Sequence, residues 1–456
     1  MRKLSDRVLI RLAVGATVSV AVAAAGIATV AAATPAGPSA RGPQPATPAP
    51  AEAADIPDVT STTTIRIGDL SRPAARATAI AGLPRNVPLA DESAAEGARP
   101  TATTRSARVT IPSTKRFSAV GVSWAADPAT GSVTVAVRTL APNRTGWSTW
   151  FTSGDEADPL DGPSEAAHRP GTVRGGSGTI WTAPSTGVDV VVTSLAGAAP
   201  RDVKVDLIDP GQLSSDAAAA APAGPRRASR YAKRRVGSPV IYPRSSWGAS
   251  QRLMTWAPEY APQLLAAVLH HTATTNSYRP QDVPAILRSI YHFQAVTRGW
   301  GDIGYNVIVD KFGRAWEGRY GGIGRVLIGA HAGGFNAGTT GIAMLGNFTN
   351  AKPTSAQLEM VARYMAWKFA WAGIWAPGRV WITGGPSTKY SKRVRIIVTR
   401  LYGHRLTSST ACPGKYGVAA MPWLVQRVNA IVSHAAVWVP PAPRPPAPAP
   451  RPSPTA

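Results

Sequence analysis

The sequence predicts an α/β domain, a mixed central sheet flanked by helices, preceded by a β-sandwich-like domain. Three observations predict it. None of the 14 tryptophans falls in residues 1–123; four stand at Trp124, Trp147, Trp150 and Trp181, and ten run from Trp247 to Trp438. Large aromatics dominate core burial, so they mark two folded regions, 105–212 and 239–436. The first region carries short β-rich runs between Gly, Pro and Asp turns, the pattern of a sandwich. The second alternates strand-like and helix-like segments, the pattern of helices packed on a mixed sheet.

In chain order, residues 1–33 begin MRKLSDRVLIRL, continue in an Ala/Val-rich apolar run and end on small residues before Thr34-Pro35. That is the layout of a secretory signal peptide. The charge-free run Leu12–Ala33 also has the length of a membrane anchor, so both readings stand, and either places the bulk of the chain outside the cytoplasm. Residues 34–104 are an Ala/Pro-rich linker with a strand expected near Thr62–Ile67. In 105–212 the expected strands include Ala119–Trp124, Ser132–Arg138, Val188–Thr193 and Val203–Ile208. Residues 213–238 form a basic linker, either simply solvated or drawn to an anionic envelope polymer.

In 239–436, Leu264–His270, Ile303–Asp310 and Thr340–Leu345 are expected strands. Asp282–Thr297 carries Val283, Ile286, Leu287, Ile290 and Phe293 at helical spacing. Thr354-Ser-Ala-Gln357 is a capping box opening a helix that closes near Gly373. A last helix is expected over Met421–His434, and 437–456 is a Pro-rich tail.

Composition narrows the function. Lys and Arg number 49 against 25 Asp and Glu, a net charge of +24, yet only 16% of residues are charged: acids are scarce. From Val240 onward, 23 basic residues face six acids, and no acid follows Glu359. A surplus of that kind suits attraction to an anionic wall polymer. Nucleic-acid binding rests on charge alone, since no nucleic-acid motif is present and the leader exports the chain. One cysteine excludes a disulfide framework and any four-cysteine metal site.

The single Cys412 lies eight residues after His404, and His270-His271 ends an apolar run. Two imidazoles and one thiolate would leave a catalytic zinc one open position for water. From spacing alone this is weak: H-x7-C is no standard metal pattern, and strand-end histidines are often only hydrogen-bonded.

Six segments in order add to this: Ile241-Tyr-Pro-Arg-Ser-Ser-Trp-Gly-Ala249, Val268-Leu-His-His-Thr-Ala-Thr274, Gly299-Trp-Gly-Asp-Ile-Gly-Tyr-Asn306, Ala315-Trp-Glu-Gly-Arg319, Ile328-Gly-Ala-His-Ala-Gly-Gly-Phe-Asn336, and His404 with Thr410-Ala-Cys-Pro-Gly414. Together they resemble the zinc N-acetylmuramoyl-L-alanine amidases of the type-2 amidase and peptidoglycan-recognition-protein family. The 105–212 region resembles, more loosely, the β-rich domain preceding this amidase in secreted actinobacterial proteins. The resemblance implies a peptidoglycan-recognition-protein-like fold, a Zn2+ cofactor held by His270, His404 and Cys412, and hydrolysis of the amide between N-acetylmuramic acid and L-alanine. It implies catalytic roles for Tyr305 and Thr410, with Tyr305 the first choice of proton carrier, and a substrate groove that includes His331 and Asn336.

Arg319 either meets a stem-peptide carboxylate or is a solvated turn residue, and Glu317 shapes its loop. Tyr305 has an alternative as a strand aromatic, and His331 and Asn336 as turn residues. Many bacterial members carry an acid two residues after the last zinc histidine; here that residue is Leu406. The expected partners are peptidoglycan muropeptides and anionic wall polymers, for a secreted monomer with no membrane insertion once the leader is removed. A non-catalytic peptidoglycan-recognition module is the rival function, and retention of Cys412 argues against it.

Overall fold

Strands with alternating apolar residues need a cover for one face, and two antiparallel sheets supply it for each other. The first sheet is ordered β1 (Ser61–Gly68), β9 (Val203–Asp209), β3 (Phe117–Ala125), β6 (Arg174–Gly176), with β7 (Ile180–Ser185) also on β3. The second is ordered β2 (Arg105–Ile111), β8 (Gly187–Ser194), β4 (Val133–Leu140), β5 (Phe151–Ser153). Val133, Val135 and Val137 of β4 face Val120, Val122 and Trp124 of β3 in the core between them. The computed structural model describes residues 56–70, 105–153 apart from 128, 131, 144 and 145, 173–220 apart from 195 and 196, and 236–436. All of these belong to one unit, Pro50–Ala456. The leader, the tail and most of both linkers lie outside the described residues.

The sandwich starts earlier than residue 105. The strand expected in the linker is β1, and it pairs with β9 along its length, from Ser61 opposite Asp209 to Gly68 opposite Val203. Two of the four tryptophans of this region are not in the core. Trp147 and Trp150 lie against the guanidinium of Arg138, whose carbon is 5.2 and 4.7 Å from their ring centroids. Arg138 and Arg108 flank the fully buried Asp189, whose carboxyl they hold below its ordinary pKa against the cost of burial.

The second domain is built on a six-stranded sheet in the order β10 (Ile241–Tyr242), β13 (Ala315–Glu317), β12 (Val307–Val309), β14 (Thr339–Met344), β11 (Ala266–His271), β17 (Leu401–Gly403). Only β12–β13 is antiparallel, so the sheet is mixed. Helices α2 (Ser355–Trp371) and α3 (Lys415–Ala436) pack on one face against Ala267, Leu269, Val307, Val309, Ile342 and Met344. The opposite face is covered by α1 (Val283–His292) and by a separate hairpin, β15 (Arg379–Gly384) with β16 (Val394–Thr399).

Several local expectations change in detail. Thr354 caps α2 by accepting the Gln357 N–H at 3.1 Å. The Gln357 side chain does not return the bond; it donates to the Val309 carbonyl of the sheet at 2.7 Å. The strand expected over Ile303–Asp310 shrinks to β12, because Asp302 and Gln294 draw the backbone of 303 and 304 into a loop. The last helix begins at Lys415, directly after Gly414 turns the chain at φ +80°.

Candidate functional site

Side chains alternate across a strand, so the two histidines ending β11 point to opposite faces. His271 turns toward the α2 side, where its Nδ1 accepts the Phe348 N–H at 3.1 Å. His270 faces the other way. Leu269 of β11 pairs with Gly403 of β17, so the next residue, His404, falls beside His270. Their ring centroids are 4.4 Å apart. The chain then loops back: the Arg405 N–H donates to the Cys412 carbonyl at 2.9 Å, closing the seven-residue gap. Cys412 Sγ receives the His271 N–H at 3.4 Å and lies 3.6 Å from His270 Nδ1. The ligand atoms of His270, His404 and Cys412 all lie within 4.8 Å of one another, and all three residues are buried.

The donor set fits zinc. With Zn–N about 2.05 Å and Zn–S about 2.3 Å, a tetrahedral nitrogen-to-sulfur edge is about 3.6 Å, matching the Cys412–His270 separation. Burial, and then neighbouring His404, His331 and His271, push the His270 pKa well below its ordinary value, so the ring is neutral, as a ligand must be.

Behind His270 stands His331. His270 Nε2 and His331 Nδ1 are 3.0 Å apart. If His270 ligates through Nδ1, its Nε2 carries the proton and donates it to His331. The His331 ring lies in a slot made by two glycines. A Cβ on Gly329 or on Gly341 would sit 2.4 Å from His331 Cδ2, so neither position admits a side chain. Asn336 Oδ1 accepts the N–H groups of His331 at 2.8 Å and Ala332 at 2.9 Å, pinning the turn that carries the ring. Burial lowers the His331 pKa to about 3. Both residues were expected in the substrate groove, but their side chains are buried and these contacts are to protein.

Tyr305 is half-buried, with its ring centroid 5.4 Å from that of His270. Its loop is tied down on several sides. The Arg319 N–H donates to the Tyr305 carbonyl at 2.8 Å, and Gln294 Oε1 accepts the Gly304 N–H at 2.9 Å. Asp302 accepts Arg244 Nη1 at 3.0 Å and the N–H groups of Ile303 and Tyr320, both at 2.7 Å. Arg319 is neither a solvated turn residue nor turned outward. It is buried and donates to the Ile303 carbonyl at 3.2 Å, and burial lowers its pKa. Thr410 is half-buried and accepts the Cys412 N–H at 3.2 Å, so it shapes the turn carrying the thiol. Leu406 is exposed, in the turn that begins at His404.

Sequence reasoning missed Arg244, Asp302 and Gln294 as supports of the Tyr305 loop, although the first two stand inside the quoted segments. It also missed that the sandwich reaches the site. A crevice beside Tyr305 is lined by Ser177, Gly178 and Thr179 of the sandwich together with Thr272, Ile290, Gln294 and Arg298. A Cβ on Gly178 would lie 2.9 Å from the Thr272 carbonyl, so the two backbones meet there.

The family model described as N-acetylmuramoyl-L-alanine amidase matches residues 261–415, and one described as Rv3811 N-terminal galactose-binding domain-like matches 73–223. Peptidoglycan-recognition protein SC2 of Drosophila simulans is 32% identical over 175 residues, which are 38% of this chain and 80% of that protein. The human N-acetylmuramoyl-L-alanine amidase is 32% identical over 187 residues, 39% of this chain but only 27% of the human protein. The solved structure of peptidoglycan recognition protein-LE in complex with tracheal cytotoxin is 29% identical, with a TM-score of 0.32, covering 40% of this chain and 92% of that one. The chain belongs to the type-2 N-acetylmuramoyl-L-alanine amidase and peptidoglycan-recognition-protein family.

Proposed function

We propose that the chain is a zinc-dependent hydrolase, acting outside the cytoplasm, that cleaves the amide between N-acetylmuramic acid and L-alanine in peptidoglycan. The convergence of His270, His404 and Cys412 carries this reading. A recognition-only relative has no use for a buried thiol beside two buried imidazoles. When bound, zinc supplies Lewis-acid activation of water and of the scissile carbonyl. The chain's own residues do the rest. Attack on the carbonyl carbon forms a C–O bond and breaks the C–N bond, and the departing alanine nitrogen needs a proton. Asp282, Asp302, Asp310 and Glu359 are each committed to an arginine. Tyr305, whose ring centroid lies 5.4 Å from that of His270, is the group we assign to proton handling and to charge on the former carbonyl oxygen. Thr410 holds the Cys412 turn, its hydroxyl accepting the Cys412 N–H.

Activity on muropeptides tests the reading. Dialysis against a chelator should abolish release of stem peptides from purified sacculi, and zinc should restore it. Cys412→Ser should lose both zinc and activity. Full stem-peptide release by a metal-free preparation overturns the assignment.

A further inference from the structure

The hairpin β15–β16 presents two different faces. Ile382 and Val398 are buried against Ala266, Val268, Phe335 and Tyr402. The outward face carries Trp381 directly opposite Ile397, and these are 51% and 40% exposed. A water-facing side of an antiparallel sheet is ordinarily polar. An apolar pair held in water on a rigid sheet is a contact surface. Arg395 lies against it, its guanidinium carbon 4.7 Å from the Trp381 ring centroid, and Arg379 stands on the same face two residues before Trp381.

The register places Thr383 opposite Arg395 and Arg379 opposite Thr399, four residues apart on each strand. At about 3.3 Å per residue the two arginines are spaced about 13 Å along the hairpin, with Trp381 midway. These are backbone spacings; the Arg395 guanidinium itself folds over the Trp381 ring, so an anion it meets lies directly beside a sugar ring packed against the half-exposed tryptophan. The turn adds exposed Lys389, Lys392 and Arg393. No Asp or Glu occurs anywhere after Glu359 to offset them.

The hairpin is also fastened to the catalytic loop. Ser387 Oγ donates to the Thr407 carbonyl at 2.6 Å, Lys389 Nζ to the Arg405 carbonyl at 3.0 Å, and the Ser409 N–H to Thr388 Oγ1 at 2.9 Å. Thr407 and Ser409 lie between His404 and Cys412. Whatever the hairpin grips is therefore held at a fixed distance from the site.

We infer that the outward face of this hairpin docks a phosphodiester-linked wall polysaccharide, a sugar ring stacking on Trp381 and phosphates meeting Arg379, Arg395 and the turn cations. The inference rests on the proposed wall-acting hydrolase, but its test does not depend on turnover. Co-sedimentation with purified walls is measured in the presence of a chelator for the leaderless chain, for Trp381→Ala and for Arg395→Gln. The walls are used intact or stripped of phosphate polymer by cold hydrofluoric acid.

On intact walls each substitution should weaken binding about tenfold, the scale of one good stacking or charge contact. On stripped walls the parent chain should already bind weakly, and the variants should match it. Unchanged melting temperatures report that the variants fold. Parent-like binding of Trp381→Ala to intact walls overturns the inference. So does a parent chain indifferent to stripping, which makes peptidoglycan the occupant. Dimer dissociation caused by Trp381→Ala in sedimentation velocity overturns it too, by making a second copy the occupant. If the parent chain fails to hydrolyse a soluble muropeptide, the catalytic reading falls while this binding test keeps its outcome.

Discussion

His331 offers the sharpest test of how the site is built, because its contact with His270 is single and specific. In His331→Ala the 3.0 Å bond to His270 Nε2 is lost. The space between Gly329 and Gly341 that the imidazole filled is left open. Loss of a partner that orients a metal-ligating histidine costs about 10- to 100-fold in metal affinity, or about 1.4–2.7 kcal/mol. His331→Asn puts an acceptor oxygen close to where Nδ1 now lies, so it should recover most of the affinity although it also removes a ring. Gly341→Ala should reproduce the His331→Ala defect without touching either histidine chemically, because the added methyl displaces the ring.

The assay is competition for zinc against a chelating dye, with the melting temperature of each metal-free protein measured alongside. A purely structural role for His331 predicts equal loss of metal-free stability in the Ala and Asn variants and no difference between them in zinc affinity. Affinity within about twofold of the parent in His331→Ala, on a scale where second-sphere losses start at about tenfold, would refute the positioning role.

Tyr305→Phe should retain zinc and bind muropeptide normally while turnover falls about 100-fold or more, measured as a kcat loss with little change in KM; a near-normal rate returns Tyr305 to a packing role. Arg288 is buried and makes a bidentate pair with Asp216 at 2.8 and 2.7 Å, while also donating to the Pro210 carbonyl. Arg288→Ala strands the carboxylate and should cost about 3–5 kcal/mol in denaturant unfolding; a loss below about 1 kcal/mol, the worth of a surface pair, contradicts the buried reading. Glu359 is held to a pKa of about 2 by Arg427 and then Arg363. The folded value is depressed, so the contribution is present above the ordinary carboxyl pKa and is lost as pH falls from about 4.5 toward 2. Solvent around both arginines reduces it to about 1–2 kcal/mol, so Glu359→Gln should be destabilised by that amount at pH 7 and match the parent near pH 2. A gap that persists at low pH would place the effect in packing.

What could be read from the chain follows from what is local. β11, α1, β14 and α2 carry their own periodicity or caps, and each lies close to its expected place. The grouping of His270, His404 and Cys412 was legible through short motifs, since a strand end, a turn and a Cys-Pro-Gly segment each fix one side chain's surroundings. His331 and Asn336 were legible as important but not as to role, because burial depends on the two glycines and the strand that close over them, far apart in sequence. The hairpin β15–β16 escaped notice because β15 alternates apolar and polar residues only briefly and the intervening turn is nine residues of Gly, Pro, Ser and Lys character. Of the two alternatives for Arg319, burial removes the solvated one, which the sequence left open because a Gly-Arg turn looks solvated until a carbonyl from another loop meets it.

The relation between the two domains follows from the same kind of bookkeeping. Ala119, Trp181 and Ile208 of the sandwich share one apolar cluster with Trp247, Ile286, Leu287, Ile290 and Phe293 of the α/β domain. Polar bonds stitch its margin: Trp181 N–H to Thr274 Oγ1 at 3.0 Å, the Arg174 N–H to the Arg298 carbonyl at 3.1 Å, and Thr62 Oγ1 with His292 Nε2 at 2.7 Å. Val173 packs with Trp300 and Ala330, the residue before His331. Swinging the sandwich away would wet this cluster and bare the Arg288–Asp216 pair, and each of those terms is unfavourable. The wall beside Tyr305 belongs to both domains, so substitutions at Ser177, Gly178 or Thr179 should change the surroundings of Tyr305.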